Sequence, residues 1–300
     1  MNNTTVSSLK IADMMRRDSN IGPASIVQYS AISEAMNSAK CQGVKKGLTT
    51  GWPLIDEYMN LITGLLYIVT GIPSHGKSSF MKSFIVHSAK IHNWRWALYC
   101  PEDYPLSFYV QALSEIITGK PLHGKDGMSE AEREQAVRFI NDHFVIFEAS
   151  EEAYDIETIL LTVERLQQVN PVQGILIDPF NELESTRPSG LSETDWIGAT
   201  LARCRRFARK NDVAFFIVAH PTKLRKLDNG TLPVPGLYDI SGSQHWANKA
   251  DIGITVQRDF DEGCTYIHVL KVRFRYYGYP GVVKLYYKPM TGRYLEYPKL

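Results

Sequence analysis

The chain has 300 residues, with 33 Lys+Arg against 32 Asp+Glu (formal net charge +1), 44% hydrophobic residues and 22% charged residues. This charge balance excludes a globally basic nucleic-acid binder but leaves room for local basic clusters. The apolar content excludes disorder over most of the length, and the length allows two domains or one α/β domain of about 250 residues. Cys41, Cys100, Cys204 and Cys264 show no CxxC or Cys/His ligand spacing, which argues against a zinc module or a disulfide scaffold and fits a reduced, intracellular setting.

In chain order, the opening MNNTTVSSLKIADMMRRDSN has no apolar core and does not read as a secretory signal. Residues 1–46 are polar with a weak helical pattern (Ile26, Tyr29, Ile32, Met36), read as an N-terminal arm or linker with one helix; residues 47–300 read as the main domain. The longest apolar stretch, 61–73, is too short to span a bilayer and is broken by Gly64 and Gly71. The expectation is a soluble, cytoplasmic protein with no membrane partner.

From 65 onward, β-rich runs fall at 65–70, 94–100, 144–149, 174–178, 213–220, 252–258, 265–274 and 281–287. Helical patterns occupy 78–92, 105–118, 129–141, 155–169 and 192–211. Continuously apolar strands alternating with helices predict an α/β fold with a mostly parallel central sheet covered on both faces. The last strands, with no long helices between them, predict an antiparallel C-terminal extension. Residues 227–243, rich in Gly and Pro, read as a loop.

Gly71-Ile72-Pro73-Ser74-His75-Gly76-Lys77-Ser78 satisfies GxxxxGK[ST], follows an apolar strand and opens a helical pattern. Glycines let the backbone wrap closely, so that N–H groups and the helix N-terminus face phosphate oxygens. Lys77 is positioned to neutralise the β/γ-phosphates and Ser78, followed by Ser79, to ligate Mg²⁺. GILIDPF ends an apolar strand in Asp178, a second carboxylate for magnesium at the strand edge where open α/β sheets bind ligands. A helix N-cap is the other reading of Asp178, and Pro179 argues against it. Hydrolysis also needs a group that orients or deprotonates water. The strand ending in Pro101-Glu102-Asp103 offers Glu102 first and Asp103 second, unless both are solvated loop acids.

The series GWPLIDEYM, the phosphate loop, CPEDYP, ILIDPFNELE, IVAHPTK, LYDISGSQHWANKADIGITVQR and LKVRFRYYGYPGVVKLYY resembles, over about residues 47–297, the C-terminal helicase domain of phage primase–helicases and Twinkle-like enzymes within the DnaB-like ring helicases. The resemblance implies a RecA-like P-loop core assembling into a hexameric ring, with ATP or dTTP and Mg²⁺ between subunits. It implies catalytic roles for Glu102 and Lys77, a γ-phosphate sensor at His220, an arginine finger at Arg273 with Lys271 two residues earlier, and Gln244 in a helicase motif. Arg275 competes with Arg273 for the finger, and Lys271, Arg273 and Arg275 could simply alternate on one solvated face. The implied DNA-binding loops hold Lys223, Arg225 and Lys226, and Ser241, Gly242 and Ser243, on the backbone of one strand. The run Arg203 to Lys210 reads as the outer face of a helix. The expected partners are single-stranded DNA, copies of the same chain and a separate primase or polymerase, because nothing in 1–46 could supply a primase zinc module. A phage or related mobile element is the implied source, and the host cytoplasm the implied location. A RecA/RadA-like recombinase, or a helicase loader using ATP as an assembly switch, are the competing functions.

Overall fold

The computed structural model describes residues 27–42, 47–147, 154–228 and 230–296. The opening twenty residues, Ile26 and the tail of the run at 144–149 lie outside them. The chain divides into two units, Met1–Lys45 and Lys46–Leu300. The first contains helix α1 (Tyr29–Gln42).

In the second unit the fully apolar runs become β1 (Leu66–Thr70), β2 (Trp96–Tyr99), β4 (Gly174–Ile177) and β5 (Ala214–Val218), each buried at every position. They pair in parallel within a nine-stranded sheet of order β3-β2-β4-β5-β1-β6-β7-β8-β9, where β3 is Phe144–Ile146 and β6 is Ile252–Asp259. Alternate residues of each strand face opposite layers. Tyr67 and Val69 join a core with Trp52, Phe80, Phe84, Trp96 and Phe216, under helices α3 (Lys77–His92) and α4 (Leu106–Thr118). Leu66 and Ile68 join Ile159, Leu160, Trp196 and Phe207, under α6 (Ile156–Val169) and α7 (Glu193–Asn211). Gly174 is required where β4 begins, because a Cβ there would overlap the Trp96 ring.

The antiparallel extension is present: β7 (Cys264–Val272), β8 (Gly281–Lys288) and β9 (Arg293–Glu296) follow β6 in turn. Helix α5 (Glu130–His143), α6 and α7 start one residue after the pattern boundaries. The reason is that Ser129, Asp155 and Ser192 sit at the N-caps, where their side chains accept backbone N–H groups of the first turn. Two short helices went unpredicted, α2 (Pro53–Asp56) and α8 (His245–Lys249). Among the described residues, no helix is long and apolar enough to cross a membrane.

Candidate active site

The phosphate loop joins β1 to α3. Its turns are made by Gly71 (φ 150), Ser74 (φ 65) and Gly76 (φ 88), the last being the residue before the first helical position. A side chain at Gly71 would strike the Val256 carbonyl, so the loop runs flush against β6. Lys77 is buried, and its Nζ donates to the carbonyls of Gly71 (2.9 Å) and Ile72 (3.2 Å). Burial lowers its pKa, while Asp178 and Glu102 push it back up. The sequence-assigned residues Ser74, Gly76, Lys77, Ser78, Ser79, Glu102 and His220 line one cavity of about 500 Å³, together with Pro73 and Arg258.

Asp178 follows β4 directly and is buried. Burial raises its carboxyl to about 6, against a hydrogen bond from Ser78 that lowers it; Asp103 raises it further. A hydroxyl and a carboxylate meeting beside a phosphate loop are a hard oxygen donor set that fits Mg²⁺. Glu102 and Asp103 separate clearly. Asp103 is held by Lys82 in a 2.5 Å ion pair. Glu102 lines the cavity, with its carboxyl raised by burial and by Glu182 and Asp103, and lowered by Lys77.

His220 lies just past β5, and its Nδ1 is buried without a hydrogen-bond partner among the described residues. Burial, then Lys77, lowers its pKa. Its carbonyl accepts the Ser241 N–H at 3.1 Å, and the next residues continue the contact: Pro221 bridges Ile240, and the Thr222 N–H donates to the Asp239 carbonyl at 2.7 Å. The two candidate DNA loops therefore leave from adjacent backbone. Lys223, Arg225 and Lys226 line a groove of about 770 Å³ whose other wall is Ile72 and Pro73 of the phosphate loop. Gly242 (φ 84) turns the second loop, its carbonyl accepting from Thr194, while the Ser243 hydroxyl accepts the His245 N–H.

Three assigned residues stay away from this cavity. Gln244 is exposed at the start of α8. Lys271 donates to the Ala247 carbonyl (2.6 Å), and Arg273 donates to the Asn248 carbonyl (2.7 Å) and pairs with Asp251 (3.0 Å). Strand β7 stops at Val272, so the alternation does not run on: Arg275 turns aside to the Tyr276 hydroxyl. The run 203–210 is only partly an outer face. Arg203 and Lys210 pair with Glu157 and Glu164, whereas Arg205 turns inward to Asp251.

Sequence reasoning missed Arg258 and Tyr294. Arg258 ends β6, stacks 4.0 Å over Tyr287 and reaches the Tyr294 hydroxyl, which donates to the Gly76 carbonyl at 3.2 Å. The available signal was a cation ending IGITVQR, at the same strand edge as the phosphate loop.

A glycine-turned loop between the central strand and a helix, a buried carboxylate at the neighbouring strand edge and this sheet order define a RecA-like P-loop core. No family model matches the chain. It is 31% identical over 271 residues, 86% of its length, to the Twinkle homolog protein, chloroplastic/mitochondrial, of Arabidopsis thaliana, and spans 38% of that relative. Among solved structures, an ATPase domain determined on its own superposes with a TM-score of 0.76 at 17% identity, covering 90% of this chain and all of that domain. A DnaB-like replicative helicase, solved in a study of its interactions with primase, gives 0.73 at 17% identity over 98% of this chain and 71% of its own. The resemblance to Twinkle-like and DnaB-like proteins read from the motifs is borne out, and so is the fold class.

Proposed function

We propose that the chain is an ATP- or dTTP-hydrolysing DNA helicase that moves on single-stranded DNA as a ring of copies, a hexamer by analogy with DnaB-like proteins. The observation that carries this reading is the continuity of one wall: His220 lines the phosphate-loop cavity, and the backbone leaving it forms both candidate DNA loops. A change in what His220 contacts is thereby transmitted directly to Lys223, Arg225 and Lys226.

In this reading the loop amides and Lys77 bind the β- and γ-phosphates, and Arg258 adds a cation to the same cavity. Glu102, whose raised pKa makes it the stronger base, orients and deprotonates the attacking water. Ser78 and Asp178 would hold Mg²⁺, which supplies charge neutralisation on the phosphates when bound. His220 senses the γ-phosphate through its unpartnered Nδ1. Arg273 acts on the nucleotide of another copy, because it lies at the opposite end of β1 from its own phosphate loop. Asp251 bonds Leu66, the first residue of that strand, and the loop follows Thr70, the last. Five residues at roughly 3.3 Å each keep the two ends about 17 Å apart. A separate primase fits a chain of this extent.

The test is unwinding of a labelled forked DNA duplex with Mg-ATP, beside Lys77→Ala. Unwinding lost in the variant is expected. Equal unwinding by both proteins would overturn the reading, and DNA-stimulated hydrolysis with open filaments and no unwinding would favour the recombinase.

A further inference from the structure

Asp251 is completely buried and sits just before β6. Its N–H donates to the Leu66 carbonyl at 2.9 Å, and its Oδ2 accepts the Leu66 N–H at 3.2 Å, which fixes the residue at the start of β1. Its Oδ1 faces three guanidinium groups: Arg273 at 3.0 Å, Arg205 at 3.2 Å and Arg209 at 3.8 Å. A buried carboxylate needs a partner, because removing a lone charge from water is costly. One arginine would meet that need, and Arg205, the least exposed of the three, already does so.

Arg273 is held more firmly than charge balance requires. Its backbone N–H donates to the Asp251 carbonyl (2.8 Å), its Nε pairs with the same residue's carboxylate, and one terminal nitrogen donates to the Asn248 carbonyl (2.7 Å). A guanidinium has five N–H donors, so this grip leaves others uncommitted, and the side chain keeps 30% exposure. The neighbouring Arg275, in contrast, bonds only the adjacent Tyr276.

We propose that Asp251 is the positioning residue for Arg273: it anchors the guanidinium to the start of β1 so that its remaining donors are presented, already oriented, to the nucleotide on a neighbouring copy. Arg205 and Arg209 steady the carboxylate in this arrangement. The inference rests on the intersubunit reading of Arg273 and adds what makes that arginine effective. Pre-oriented donors cost no reorganisation during reaction, which is where their catalytic advantage arises.

The experiment measures DNA-stimulated NTP hydrolysis by the full chain for Asp251→Asn, Arg273→Ala and Lys77→Ala, each alone and with the first two co-expressed one to one with Lys77→Ala. The Lys77→Ala chain lacks a working phosphate loop but retains Arg273 and Asp251, so it lends them to a neighbour whose loop is intact. Asp251→Asn is expected to lower kcat by about tenfold or more with KM within about twofold, and both mixtures are expected to regain activity above that of either parent. Wild-type kcat in Asp251→Asn, or recovery with Arg273→Ala but not with Asp251→Asn, overturns the positioning role. Failure of both mixtures overturns the intersubunit reading and this inference with it. Should Asp251→Asn not fold, Asp251→Asn/Arg205→Met removes one of the cations left unpaired, and the same outcomes are read from it.

Discussion

The backbone N–H of Arg258 donates to Nδ1 of His75 at 3.1 Å, tying the phosphate loop to the end of β6. An accepting Nδ1 requires the neutral imidazole with its proton on Nε2. The His75 ring also stands edge-on to Phe260 at 5.4 Å. With Tyr294 bonded to Gly76, the antiparallel extension thus holds the loop at two successive residues.

His75→Leu removes that acceptor and leaves the Arg258 N–H unpaired, a cost of about 1–2 kcal/mol. It is expected to raise the nucleotide KM roughly tenfold, with a smaller change in kcat. His75→Asn, whose carbonyl oxygen can stand in for Nδ1, is expected to stay within about threefold of wild type. Steady-state titrations with Mg-ATP measure the difference. Equal KM values for Leu and Asn variants would show that the bond has no part in shaping the loop.

The acids after β2 give a second contrast. Glu102 faces the phosphate cavity, and Asp103 is committed to Lys82. Glu102→Gln is expected to reduce hydrolysis by about 10²–10⁴ while fluorescent nucleotide still binds. Asp103→Asn breaks a half-buried ion pair and is expected to act mainly on thermal stability, with hydrolysis within a few-fold of wild type. Reversal of these two results would exchange their roles.

Both assignments depend on how much of this geometry the residues declare in advance. The parallel strands were legible because each is continuously apolar and is followed by a helix whose first turn carries its own cap, as at Ser129, Asp155 and Ser192. The phosphate loop and Asp178 were legible because their chemistry is written in adjacent residues. Strand β9 was not: its four residues are held by a long-range bond from the Trp52 indole N–H to the Tyr294 carbonyl, 2.9 Å. Arg258 was hidden for a related reason. Its place beside the loop follows from β6 pairing with β1, a neighbour more than 180 residues earlier in the chain. Neither could Arg205 be told from Arg203 by pattern, since only the position of Asp251 draws one inward.

Stability at acid pH is expected to depend on His87. It stacks on Trp52 at a ring separation of 4.1 Å, and its Nδ1 is buried without a partner among the described residues. Burial, then Lys90 and Arg293, lowers its pKa to about 4. The unfolded chain therefore binds this proton more readily, so the contribution is complete above the unfolded value of about 6.5 and is lost as pH falls towards 4. The loss is at most about 3 kcal/mol. Urea unfolding at pH 7 and pH 4.5 should show a smaller acid-induced decrease for His87→Leu than for wild type. The same decrease in both proteins would exclude this histidine as its source.

The groove between Ile72–Pro73 and the segment carrying Lys223, Arg225 and Lys226 leads to the last prediction. These three cations are exposed, and none lies in the phosphate cavity. If they contact the backbone of a single strand, each releases about 0.7 of a counterion. Replacing all three with Ser should then reduce the slope of log affinity against log salt by about 2, uniformly across DNA sequences. Hydrolysis without DNA should change little, whereas its stimulation by DNA should fall. Fluorescence anisotropy with a labelled oligonucleotide over a salt series gives the slope. An unchanged slope, with stimulation intact, would move the DNA contacts off this loop.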